Sequence, residues 1–159
     1  AANCKLVGLS VDGLYSHIAW LRTIKDKMVY KGMKDVEVNF PLIEDISMNV
    51  AKKYGMIQPN EDTTKAVRAV FFIDPNRKIR LIMYYPLNVG RNMDEILRAV
   101  KALQVSDEQG AVAANWPNNE LIGDRIIVPP AKDVKTAHER MKEYEGYDWW
   151  FVHKPYKKK

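Results

Sequence analysis

The sequence has a single cysteine, Cys4, so no disulfide can form within the chain. One thiol in 159 residues suits a reducing compartment such as the cytoplasm. Histidine is almost as scarce. His17, His138 and His153 stand alone, with no Cys or acid at ligand spacing, which argues against a zinc site. The eight glycines form neither G-x-G-x-x-G nor G-x-x-x-x-G-K-[ST], and no G-x-S-x-G elbow occurs. Nothing in the sequence calls for a cofactor. No run approaches the roughly 18 apolar residues that a membrane span needs. Residues 1–11 lack the charged-then-apolar layout of a leader peptide. An initiator Met is also missing, so processing or truncation is expected to have removed the true start.

The chain is 47% hydrophobic, 28% charged and carries four Trp, the composition of a domain with a real core. The formal charge is +5, but Lys154, Lys157, Lys158 and Lys159 supply four of those positives, leaving +1 for the body. A solvated tail is the expectation, rather than a nucleic-acid or membrane surface.

Residues 6–12 are a short apolar run, read as a buried strand. Leu14, Ile18, Leu21 and the stretch 24–28 follow at helical spacing. Residues 36–43 predict a second strand. Asp45 can cap a helix over 46–54, with Gly55 just beyond its end. The polar stretch 57–65 reads as a loop. Val67–Asp74 and Ile79–Tyr85 form the strongest strand pair, joined by the turn Asp74-Pro75-Asn76-Arg77. Asn92 and Glu95 resemble a capping box for a helix over 93–104, with Met93, Ile96, Leu97, Val100 and Leu103 on one face. The order β-α-β-α-β-β-α predicts an α/β sheet with helices on both faces. Beyond residue 105 the sequence turns loop-like, with one short helix over 133–144, and predicts a small appended arm or domain. Two parts are expected: 1–105 and 106–159.

Arg68 is the residue that first suggests chemistry. It lies inside an apolar strand, on the face of Val70 and Phe72. A guanidinium there needs an anion or an acceptor array. It is either a structural ion pair or a functional cation. Cys4 sits beside Lys5 alone, ahead of a strand rather than at a helix N-terminus, so it reads as an ordinary thiol. Trp149, Trp150 and Phe151 read as anchors that bury an arm against its host or a partner subunit.

Several stretches, in this order, resemble one family. Residues 4–12 with Ser16-His17-Ile18-Ala19-Trp20, the strand 67–74, and Tyr84-Tyr85-Pro86 through Gly90-Arg91-Asn92 to Arg98 are similar to peroxiredoxins. Within that family they fit the one-cysteine subfamily. Trp116-Pro117-Asn118-Asn119 and Ile127-Val128-Pro129-Pro130 resemble its carboxy-terminal domain. The resemblance implies a thioredoxin-like fold, incomplete at the N-terminus, with a C-terminal dimerisation arm. It implies reduction of hydrogen peroxide and alkyl hydroperoxides through a cysteine sulfenic acid. Arg68 matches the arginine that stabilises thiolate and peroxide, and Arg91 a supporting arginine. It also implies homodimers, possibly assembled into rings.

The Pro-x-x-x-Thr-x-x-Cys motif that carries the family's peroxidatic cysteine is not in this sequence. Cys4 does not match that position, which the family places a helix earlier. The segment that carries it should also hold the central strand. Without that strand the sequence is expected not to fold stably. No resolving cysteine follows Cys4, so an external thiol reductant is implied. The competing readings are a non-catalytic thioredoxin-fold scaffold and a basic-tailed nucleic-acid binder.

Overall fold

The protein is described by a computed structural model, which covers residues 2–58, 60 and 65–158. The polar stretch 57–65, read as a loop, falls mostly outside the described residues. The chain divides into two compact units, Asn3–Arg91 and one that begins at Asn92.

The amino-terminal unit begins with β1 (Gly8–Ser10), α1 (Leu14–Lys27), β2 (Leu42–Glu44) and α2 (Asn49–Lys53). It ends with the hairpin of β3 (Arg68–Ile73) and β4 (Ile79–Tyr85). Its order is the predicted β-α-β-α-β-β. The pairing is the one expected of a sheet that lacks its central strand. β1 pairs in parallel with β2, β3 pairs antiparallel with β4, and the two pairs are separate sheets.

Local chemistry explains several boundaries. The Glu44 carboxylate accepts from the Leu14 amide at 2.9 Å, placing an anion on the start of α1. Asp45 is buried and accepts from the amides of Val50 and Ala51 at 3.1 and 2.7 Å. It thus caps α2 from further upstream than the helix predicted over 46–54 requires. The chain passes through Met48 in the left-handed region (φ 57°) before the helix starts, which shortens it. Gly55 adopts φ 65° just past the end of α2, as a C′ glycine does. The β3–β4 turn closes with the Arg77 amide on the Asp74 carbonyl at 2.9 Å and the Lys78 amide on the Asp74 carboxylate at 2.9 Å. The second strand, predicted over 36–43, forms only at its end, around Leu42–Glu44.

The core of this unit lies around α2. Ala51, Met56 and Val67 are buried, with Leu9 and Val11 from β1 and Ala69 and Phe71 from β3 packed on them. α1 buries only His17, while Leu14 and Ile18 on its expected packing face are exposed. The reason is width: a two-stranded sheet offers too little surface to cover a four-turn helix. Leu6 and Val7, ahead of β1, are exposed at 60% and 62%.

The second unit holds α3 (Met93–Gln109), β5 (Ala111–Val112), β6 (Ile126–Ile127), α4 (Val134–Glu143), β7 (Glu145–Asp148) and β8 (Phe151–Lys154). The strands form one antiparallel sheet of order β5-β6-β8-β7. Its core is Ala102, Val105, Trp116 and Ile126, with Val112 and Tyr156 against it. The Trp116 indole donates to the Asp124 carbonyl at 3.0 Å, and its ring meets Tyr156 edge to face. α3 packs through the small face of Ala99, Ala102 and Val105, while Met93 and Leu97 of the predicted stripe stay exposed. Small side chains allow the bulky indole to approach the helix closely. This packing groups α3 with the carboxy-terminal residues, so the compact units part at 91/92 while the sequence reading divides the chain at 105/106. The capping box is half formed. The Asn92 side chain accepts from the Glu95 amide at 3.1 Å, but the Glu95 carboxylate turns to Arg98 at 2.6 and 2.8 Å.

The lysine tail is not simply solvated. Lys154 belongs to β8, and the Gln109 side-chain amide donates to the Lys157 carbonyl at 2.7 Å and accepts from its amide at 3.0 Å. Among the described residues no helix is long and apolar enough to cross a membrane.

Candidate active site

β3 presents Arg68 at its first position, opposite Tyr85 of β4. Alternation along the strand sets Arg68, Val70 and Phe72 on one face, while Ala69 and Phe71 turn to the α2 cluster. The Arg68 Nε donates to the Leu87 carbonyl at 2.7 Å. That carbonyl lies within the turn that follows β4, closed by the Val89 amide on the Pro86 carbonyl at 3.0 Å. The guanidinium is therefore oriented by backbone, not by a carboxylate.

Arg91, at the end of the same turn, is half-buried. Burial first, and then the neighbouring Arg68 guanidinium, push its pKa below the ordinary arginine value, with Tyr85 acting the other way. Arginine stays charged under such a shift. Two cations thus meet on one unit with no acid paired to either among the described residues. Arg68 itself is exposed rather than buried in its strand, so solvent moderates the repulsion, and an anion set against the pair would relieve what remains.

The other sequence candidates lie elsewhere. Cys4 is exposed, and its Sγ has the Lys5 carbonyl as hydrogen-bond partner at 3.6 Å. No guanidinium contacts it among the described residues. Trp149 and Trp150 form the tip between β7 and β8 and are exposed at 46% and 61%. Phe151 is partly buried, with Trp150 stacked on it at 5.6 Å and Tyr147 at 5.7 Å. Among the described residues no cluster of His, Cys, Asp and Glu could hold a metal.

Sequence reasoning passed over two groups. Leu87 contributes through its carbonyl, which no side-chain pattern reveals. His17 is buried with both ring nitrogens unpartnered. Its isolation in the sequence argues against a zinc site but does not reveal its burial.

The AhpC/TSA family matches residues 1–82, and the C-terminal domain of 1-Cys peroxiredoxin matches residues 102–144. The chain belongs to the peroxiredoxin family. A peroxiredoxin of Thermotoga maritima is 54% identical over 155 residues, covering 96% of this chain and 69% of the relative. One of Archaeoglobus fulgidus is 51% identical over 158 residues, covering 96% and 70%. Among solved structures, the yeast mitochondrial 1-Cys peroxiredoxin superposes with a TM-score of 0.74 at 37% identity, over 95% of this chain and 70% of the other. A cysteine-to-serine mutant of Peroxiredoxin 6 from Arenicola marina gives 0.75 at 29% identity, over 99% and 73%. The fold is thioredoxin-like, and the activity this family membership supports is that of a thiol peroxidase.

Proposed function

We propose that this chain supplies the arginine-bearing part of a thiol peroxidase whose attacking cysteine is not Cys4. The observation that carries the reading is the pair Arg68 and Arg91, two adjacent guanidiniums without a carboxylate among the described residues. A cysteine thiolate set against them is held in its charged form. Its sulfur attacks one peroxide oxygen, an S–O bond forms as the O–O bond breaks, and the cysteine is left as a sulfenic acid. The departing oxygen takes a proton and becomes water or an alcohol. Arg68 stabilises the thiolate and the negative charge spread over the breaking bond, while Arg91 supports its position. Hydrogen peroxide and alkyl hydroperoxides both fit this chemistry.

Two structural features favour a cysteine brought by a segment outside these residues. β1 and β3 each have one strand partner and share the α2 cluster without pairing with each other. Leu6 and Val7 ahead of β1, and Ile73 and Ile82 of the β3–β4 hairpin, are exposed, as expected of a sheet whose central strand comes from elsewhere. The sulfenic acid then needs an external thiol, in a reducing compartment such as the cytoplasm. We assign residues 106–159 to a dimerisation domain in which Trp149, Trp150 and Phe151 anchor the partner subunit, with rings as a further level of assembly. An antioxidant role follows from the reaction.

Arg68→Ala tests the reading in the protein that carries the attacking cysteine. Peroxide consumption should fall on the order of 10²–10³-fold at unchanged secondary structure. Unchanged turnover would leave Arg68 a structural residue.

A further inference from the structure

Arg125 reaches across three strands of the carboxy-terminal sheet. It directly precedes β6. Its Nε donates to Nδ1 of His153 on β8 at 2.7 Å, and its Nη2 lies 2.9 Å from the Glu145 carboxylate on β7. Strand register brings the three together, because His153 opposes Ile127 of β6 on one side and Glu145 of β7 on the other. His153 is buried at 8% exposure, with Phe151 against its ring.

This geometry fixes the state of the ring. A guanidinium only donates, so Nδ1 must accept and the single ring proton sits on Nε2. A second proton would turn that acceptor into a donor aimed at a cation 2.7 Å away. Burial first, and then Arg125, hold the His153 pKa below the ordinary histidine value, with Glu145 opposing. Arg140 of α4, which packs on this sheet, is turned away to the Val128 carbonyl at 3.0 Å.

β7 is otherwise weakly held. All four of its residues are exposed, and its register breaks between Gly146 and Asp148. An edge strand of this kind is where local opening is cheapest, so a single brace matters.

We propose that Arg125, His153 and Glu145 form an acid-released brace. It ties the β7–β8 hairpin to β6 while His153 is neutral and lets the hairpin loosen when His153 takes up a proton. The hairpin tip is Trp149-Trp150, so protonation acts on the most exposed aromatic surface of the unit. The sign follows from linkage. The brace is intact above the ordinary histidine value of about 6.5 and is lost as pH falls through the lower value of the folded state. The inference does not depend on the peroxidase reading.

The test is an NMR titration of the folded protein. The His153 ring nitrogens should titrate below about pH 6.5, and the amides of residues 145–153 should shift with the same midpoint. In His153→Gln, whose amide oxygen still accepts from Arg125 but does not titrate, the hairpin transition should vanish. In Glu145→Gln the ring should titrate lower still. An ordinary His153 midpoint with an unmoved hairpin overturns the proposal, as does a transition that persists in His153→Gln. If His153→Gln fails to fold, the ring and hairpin midpoints of the unsubstituted protein decide between the same outcomes.

Discussion

The two units of this chain bury their apolar residues in opposite ways. The carboxy-terminal unit gathers Ala102, Val105, Trp116 and Ile126 into one cluster beneath a continuous four-stranded sheet. The amino-terminal unit has the longer strands and the stronger apolar patterns, yet its strands form two separate pairs and it leaves Leu6, Val7, Leu14, Ile18 and Ile82 exposed. Pattern strength therefore does not decide closure. A sheet buries its faces only when its central strands are paired on both edges, and the short strands β6 and β8 meet that condition where β1 and β3 do not. The same contrast divides the candidate residues. The open unit carries the arginine pair, and the closed unit carries the aromatic hairpin.

The largest stability effect should come from removing the residue that closes the second unit. Trp116→Ala deletes the centre of its cluster and leaves the Asp124 carbonyl without its indole donor. A loss of about 3–5 kcal/mol is expected, read as lost amide-exchange protection at Ile126 and Val152. Protection that survives this substitution would show that the sheet, not the indole, holds the unit.

A smaller effect in the open unit sharpens the comparison. Asp45→Ala removes the acceptor for two amides at the start of α2, the helix around which β1 and β3 pack. About 1–2 kcal/mol is expected, by denaturant titration followed through helix content. Loss of all structure in the unit from this one change would show that α2 alone keeps the two sheets together.

Much of this was legible from residues. The turn chemistry of Asp74-Pro75, the Asn92 cap and the C′ role of Gly55 are local, so sequence specifies them. Arg68 stood out because a cation inside an apolar strand demands an explanation. The carboxy-terminal sheet was not legible, because strands of two to four residues carry no periodicity to read. Gly146 illustrates the difficulty. A Cβ there would lie 2.5 Å from the Phe151 carbonyl, a close approach between strands that composition alone does not announce. Glu95 choosing Arg98 over the Asn92 amide is a competition between two local partners, which a motif cannot rank. The candidate site was half legible: both arginines are in the pattern, but the Leu87 carbonyl that aims Arg68 belongs to the backbone.

The central claim is that the arginine pair, not Cys4, is what this chain brings to peroxide chemistry. The most direct measurement is the rate at which Cys4 of this chain reacts with hydrogen peroxide, with and without Arg68→Ala. The account predicts the rate of an ordinary small thiol, unchanged by the substitution. A rate orders of magnitude faster, lost in Arg68→Ala and leaving a sulfenic acid on Cys4, would contradict it.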